Sequence, residues 1–213
     1  MFMHNLPKVI FIDWNKTLSD SFFWWHLQNV MHPHNKHLEA IEKSMFQKNR
    51  HLINPWMRGE YTLEDIVKIL SDDSGVSQDI ILNELVESCR QMQYVSEEIP
   101  ELINKIRNKG IKMVIATDNM DTFERFTVPS MRLKDIFDDF LISHSLRVLK
   151  GDVQENSIPF FDGYLNKNNL TYMETVLLDD CADYTGVYDR LGLQIIQIIS
   201  PEKLVNVLKE YAS

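Results

Sequence analysis

The chain has 213 residues, a net charge of -9, 44% hydrophobic residues and 25% charged residues. This is the make-up of an ordinary globule, long enough for one α/β domain carrying an insertion. The acidic balance, with positive residues scattered and not striped, argues against wrapping a nucleic-acid backbone. No apolar run reaches the roughly 18 residues of a membrane span.

The opening MFMHNLPKVIF has no long apolar stretch ahead of a small-residue cleavage site, so it reads as the approach to a strand and not as a leader. Val9-Ile10-Phe11-Ile12 is a continuous β-prone run, the pattern of a strand buried on both faces of a parallel sheet. It ends abruptly in Asp13, followed by Asn15 and Thr17. Open α/β sheets bind ligands outside the carboxyl ends of their strands, which makes Asp13 a candidate site residue.

From Asp20 to about Glu97 nothing reads as a buried strand. Thr62–Leu70 predicts a helix with Thr62 as N-cap and Asp65 three residues on. Ser77 to Cys89 is apolar at helical spacing. An all-helical insertion emerging beside the ligand edge is placed to act as a lid. At its start, His26, His32, His34 and His37 are irregularly spaced around Pro33 and read as a solvated loop in preference to a metal site. Phe22, Phe23, Trp24 and Trp25 read as packing between insertion and core in preference to a substrate pocket, and Trp56 as core of the insertion itself.

Beyond the insertion, strands predicted at Lys112–Thr117, Asp139–His144, Thr175–Asp180 and Gln194–Ile199 alternate with helices. The helices fall at Pro100–Lys109, Asp121–Phe126, Asp152–Asn169, Ala182–Leu191 and Pro201–Tyr211, with Gly110 and Gly192 as stops and Ser200 as an N-cap. Such alternation implies βαβ units, a parallel sheet and helices on both faces. Cys89 and Cys181 lack metal-ligand spacing and read as buried thiols in a reducing, cytoplasmic setting.

Three strands thus end in polar residues: Asp13, Thr117 and the pair Asp179-Asp180. In a parallel sheet these ends share one edge, where uncompensated carboxylates repel and their pKa values rise. A hard divalent cation removes the conflict, and magnesium typically takes one or two carboxylates plus water and substrate phosphate. Lys150, after the third strand, supplies a positive charge nearby. Each residue alone reads more readily as a turn, a cap or a surface lysine; their occurrence together and in order points to a site.

The series Asp13-x-Asn15-x-Thr17-Leu18, Thr117, Lys150 and Asp179-Asp180 resembles the four motifs of the haloacid dehalogenase-like (HAD) superfamily. LISHSLRVLKGD is similar to its third-motif region and TVLLDDCADYTGVYDRLGLQIIQI to its fourth, and the helical insertion resembles its cap. The resemblance implies that Asp13 is a nucleophile forming an aspartyl-phosphate. It implies that Thr117 and backbone amides near Asp118 hold phosphoryl oxygens, and that Lys150 neutralises them and orients Asp13. Magnesium would be held by Asp13, the carbonyl of Asn15 and Asp180, with Asp179 acting through hydrogen bonds to those ligands. Two departures stand out. Tyr184 falls where many members carry Asp or Asn, and Lys16 where Gly is frequent.

Asn15 is the larger departure, because the family's phosphatases use an Asp there to protonate the leaving oxygen and later activate water. A carboxamide does neither at neutral pH, and general acid–base catalysis is typically worth ~10²–10⁴-fold. An Asn here also occurs among dehalogenase-like members, whose halide leaving group needs no proton.

The sequence therefore predicts an α/β protein, a doubly wound, Rossmann-like HAD core over 1–18 and 98–213 with a helical cap over 19–97. The function it implies is a magnesium-dependent phosphohydrolase acting on a small phosphorylated metabolite, weakened by Asn15, with no nucleic-acid or membrane partner. A catalytically impaired phosphate-binding or regulatory protein and a 2-haloacid dehalogenase-like hydrolase are the alternatives.

Overall fold

The structure, a computed structural model, describes residues 6–213; the first five residues of the expected core segment 1–18 lie outside the described residues. Strands β1 (Val9–Ile12), β2 (Lys112–Thr117), β3 (Asp139–Ile142), β4 (Thr175–Asp179) and β5 (Gln194–Gln197) form a five-stranded sheet in the order β3-β2-β1-β4-β5. Every pairing is parallel, with Ile12 set beside Ile115 on one side and Leu178 on the other. The order reverses between β1 and β4, because the chain builds outward to β3 before returning to the far side of β1. Ligands in open α/β sheets bind at such a reversal.

Alternate residues of each strand face opposite sides of the sheet. Ile10 and Ile12 enter one apolar cluster with Met113, Ile115, Val176 and Leu178. Val9 and Phe11 enter another with Val114, Ala116 and Leu177. Both faces are covered, which is why these strands read as unbroken apolar runs. The exception is β5, an edge strand whose Ile195 and Ile196 are half-buried and whose Gln194 and Gln197 are exposed.

Between β1 and β2 lie α1 (Leu38–Lys43), α2 (Ile53–Met57), α3 (Leu63–Ser74), α4 (Gln78–Arg90) and α5 (Ile99–Asn108), with short 3₁₀ and π turns among the first of them. Helix α3 begins as its sequence predicts: the Asp65 amide donates to Thr62 Oγ1 and the Thr62 amide donates to Asp65 Oδ2. Trp24, Trp56, Leu63, Ile66 and Leu85 of the insertion belong to the same continuous cluster as Ile10 and Ile12. The insertion is therefore seated on a shared core and not hung from two bare connections. Trp24 and Trp56 are fully buried, as packing residues should be, whereas Phe22 is exposed and packs against neither insertion nor core.

The remaining helices are α6 (Val128–Ser130), α7 (Leu133–Ile136), α8 (Ser143–Leu146), α9 (Pro159–Lys167), α10 (Val187–Leu191) and α11 (Pro201–Ala212). Helices α5 and α11 pack on the Ile10 face, α9 and α10 on the Phe11 face. The segment expected as a helix from Asp121 is mostly a π turn over Phe123–Thr127 leading into α6.

Three expectations need correction. The helix predicted over 152–169 forms only at Pro159–Lys167, because Ile158 is extended ahead of the proline and Asp152 is engaged with the Leu149 amide. The helix predicted from Ala182 begins at Val187, since Asp183 gathers the amides of Thr185, Gly186 and Asp189 into a loop. Cys181 is exposed; only Cys89 is the buried thiol the composition suggested. Among the described residues, no helix is long and apolar enough to cross a membrane.

Candidate active site at the carboxyl edge of the sheet

The central strand delivers Asp13 to the reversal point. The Asp13 amide donates to Leu178 O at 2.9 Å, so the pairing of β1 with β4 continues one step past the strand and fixes the aspartate beside Asp179. The chain then turns tightly, with Leu18 and Ser19 amides both donating to Trp14 O and Lys16 in the left-handed region at φ 56. A side chain is strained in that conformation and a hydrogen is not, so a glycine would suit this position better than Lys16.

Lys150 comes from the turn after α8. Its Nζ lies 3.0 Å from Asp13 Oδ1 and 2.5 Å from Asp179 Oδ2. The Lys150 amide donates to Asp118 Oδ1 at 3.0 Å, and Tyr188 Oη donates to the Lys150 carbonyl at 2.7 Å. Asp179 also accepts from the Cys181 amide at 2.8 Å. One ammonium thus sits among Asp13, Asp118 and Asp179, with Asp180 on the same cavity.

The electrostatics follow from burial. Desolvation pushes the Asp13 carboxyl up to about 7, with Lys150 pulling it down and Asp179 pushing it further up. Burial likewise raises Asp118 and Asp180, and the charge of Asp179 adds to both. Burial alone would lower Lys150, but Asp13, Asp179 and Asp118 outweigh it and hold the ammonium protonated. The edge is short of positive charge.

A divalent cation suits that deficit, and the donors suit a hard one. Ligand atoms of Asp179, Asp180 and Cys181 lie within 4.8 Å of one another. Burial and then the neighbouring Asp180 push the Cys181 thiol up to about 11, and the carboxylates of Asp179 and Asp180 are the oxygen donors a hard cation takes.

Asp13, Asn15, Asp118, Lys150, Asp179 and Asp180 therefore line one cavity of about 390 Å³. Thr117 does not line it; it ends β2, fully buried, with its Oγ1 lacking a partner, as does Thr17 Oγ1. No residue of 19–97 lines the cavity, so the insertion contributes no wall to it. Tyr184 is at the rim and 84% exposed, and no carboxylate takes its place, because Asp183 is spent on the loop amides. Sequence reasoning missed Tyr188, which steadies Lys150. Its only signal is its place as a half-polar side chain on the buried face of a short helix.

No protein-family model matches the chain, and no curated protein does. Solved structures do. A HAD family enzyme from Bacteroides thetaiotaomicron, in complex with magnesium and inorganic phosphate, aligns at TM-score 0.64 and 15% identity over 90% of this chain and 93% of its own. A predicted HAD-like family hydrolase from Porphyromonas gingivalis aligns at TM-score 0.62 and 14% identity, covering 90% and 91% of the two chains. L-2-haloacid dehalogenase from Xanthobacter autotrophicus aligns at TM-score 0.62 and 12% identity, covering 91% and 78%. The chain has the haloacid dehalogenase-like fold: a doubly wound parallel sheet with a helical insertion after its first strand.

Proposed function

We propose that the protein is a magnesium-dependent phosphohydrolase acting on a small phosphorylated metabolite through Asp13. The observation that carries this reading is the Asp13 carboxylate at the sheet's reversal point, 3.0 Å from a buried ammonium and surrounded by further carboxylates. The neighbour bound to magnesium and phosphate supports it. Residues 1–18 and 98–213 then form the catalytic core and 19–97 the cap.

Asp13, Asp180 and the carbonyl of Asn15 would hold magnesium, with Asp179 fixing their geometry through Lys150 and the Cys181 amide. The bound ion supplies charge neutralisation, which lets Asp13 approach a phosphate dianion. A carboxylate oxygen of Asp13 attacks phosphorus and the bond to the leaving oxygen breaks, giving an aspartyl-phosphate. Lys150 donates to the phosphoryl oxygens. Water then attacks phosphorus, releasing phosphate and regenerating Asp13. Asn15 has no proton for the leaving oxygen and no basicity toward the water, so turnover is slow wherever the leaving group must be protonated.

Asn15 also supports a second reading, a phosphate-binding protein that does not turn over, and it fits a dehalogenase, whose leaving halide needs no proton. Assay of phosphate release from acetyl phosphate and p-nitrophenyl phosphate, with and without magnesium, separates them. The phosphohydrolase releases phosphate only with magnesium and loses all release in Asp13→Asn. Phosphate binding without release supports the second reading, and metal-independent halide release from 2-chloropropionate the third.

A further inference from the structure

The insertion carries a second polar cluster that the carboxyl-edge site does not use. Glu84, on α4, is buried, with its side chain 11% exposed. His26 Nε2 lies 2.7 Å from Glu84 Oε2, and His34 Nδ1 lies 2.5 Å from Glu84 Oε1. His32 Nε2 points at the same Oε2 from 3.7 Å, too far for a hydrogen bond. The rings pack edge to face, with centroids 5.3 Å apart for His26 and His32 and 5.8 Å for His32 and His34. The loop that read as solvated in the sequence is folded onto a buried carboxylate fifty and more residues away.

We propose that His26, His32 and Glu84 form a binding site for a borderline divalent cation, zinc above all. Their ligand atoms, His26 Nε2, His32 Nε2 and a Glu84 oxygen, lie within 4.8 Å of one another. Two ligands about 2.1 Å from one zinc at tetrahedral angles stand roughly 3.4 Å apart. The 3.7 Å gap between His32 and Glu84 is close to that spacing, whereas it serves no hydrogen bond. Without a metal, His26 and His34 satisfy the Glu84 carboxylate, so a third imidazole brought to the same oxygen is surplus to a hydrogen-bond network; with zinc bound, His26 Nε2 exchanges its 2.7 Å hydrogen bond to Glu84 for the metal and its ring proton moves to the buried Nδ1. His34 then holds the other Glu84 oxygen and orients the carboxylate, the role such partners play around zinc.

Ligation through Nε2 places the proton of His32 on Nδ1 and gives up the 3.2 Å contact that atom accepts from the His34 amide. The donor set, two imidazoles and one carboxylate, matches zinc and not magnesium, which takes oxygen. The two sites are thus chemically distinct. The cation's structural effect is local: residues 25–37 contain only the single 3₁₀ turns Trp25–Gln28 and Asn35–His37, and the site ties them to α4.

The test is equilibrium dialysis of the chelator-stripped full chain against zinc chloride, with magnesium in excess to fill the carboxyl edge, and metal counted by mass spectrometry. One zinc per chain is expected, retained by Asp180→Ala and weakened ~10²-fold or more in His26→Ala and Glu84→Gln, against ~10-fold for His34→Ala. Cobalt bound to the wild-type chain should show the intense visible bands of a tetrahedral nitrogen and oxygen site, a readout that needs no folded variant. No zinc retained by the wild type overturns the proposal, as does zinc lost in Asp180→Ala but kept in His26→Ala, or cobalt bands no stronger than those of the hexaaqua ion.

Discussion

The Lys150 ammonium lies 3.0 Å from Asp13 Oδ1, and each side chain is about one-tenth exposed. The pair forms although burial raises the Asp13 carboxyl toward neutrality, and Asp118 and Asp180 are raised in the same direction. A carboxyl whose folded pKa exceeds its unfolded value binds its proton more tightly in the folded state. Its contribution is present below the unfolded pKa and is lost as pH rises through the folded one. The metal-free protein should therefore lose stability between about pH 4 and pH 7, the interval from the ordinary carboxyl value of 3.8 to the folded Asp13 value of about 7. On the proposed function magnesium takes the deprotonated form, so its stabilising effect should grow over the same window. Thermal melts at pH 5.5 and 7.5, with and without magnesium, check this; a magnesium shift that is equal at both values counts against the charge-deficient edge.

Trp56 Nε1 donates to Asp121 Oδ1 at 2.8 Å, joining the insertion to the segment after β2. The other oxygen of Asp121 accepts from the Leu63 amide and from Arg125. Trp56→Phe leaves a buried carboxylate oxygen without its donor, which costs about 1–3 kcal/mol. A denaturant double-mutant cycle with Asp121→Ala should give a coupling of about 1 kcal/mol, whereas additive losses would mean that this contact does not fasten the insertion.

Lys16 sits at φ 56 while its amide donates to Ser19 O, so the turn requires the left-handed conformation. Lys16→Gly relieves strain of about 1 kcal/mol. With magnesium saturating, the melting temperature should rise by about 2–4 °C. A lowered melting temperature would show that the ammonium, facing Asp180, matters more than the backbone.

The sheet was legible because burial on both faces leaves an unmistakable apolar run, and β1 to β4 lie where such runs end in Asp13, Thr117, Ile142 and Asp179. Asp13, Lys150 and the acidic pair were legible because their order along the chain matches a known set of motifs. The loops were not. Whether 152–158 and 182–186 are helical turns on the amides that Asp152 and Asp183 capture, a choice decided by side-chain competition and not by periodicity. The histidine cluster was illegible for a different reason: its organising residue, Glu84, lies on a helix more than fifty positions away and looks in the sequence like any charged helical residue.

On the proposed function, Asn15 leaves this site without a proton donor while Asp13 remains its nucleophile. The direct measurement is the rate of Asn15→Asp against the wild type on two substrates, p-nitrophenyl phosphate and a sugar phosphate. A nitrophenolate departs without a proton, so its rate should rise little. The alkoxide needs one, so the sugar phosphate should gain ~10²-fold or more, the low end of what an acid–base residue contributes. Equal rates for wild type and variant on both substrates, with magnesium bound in each, would contradict the claim.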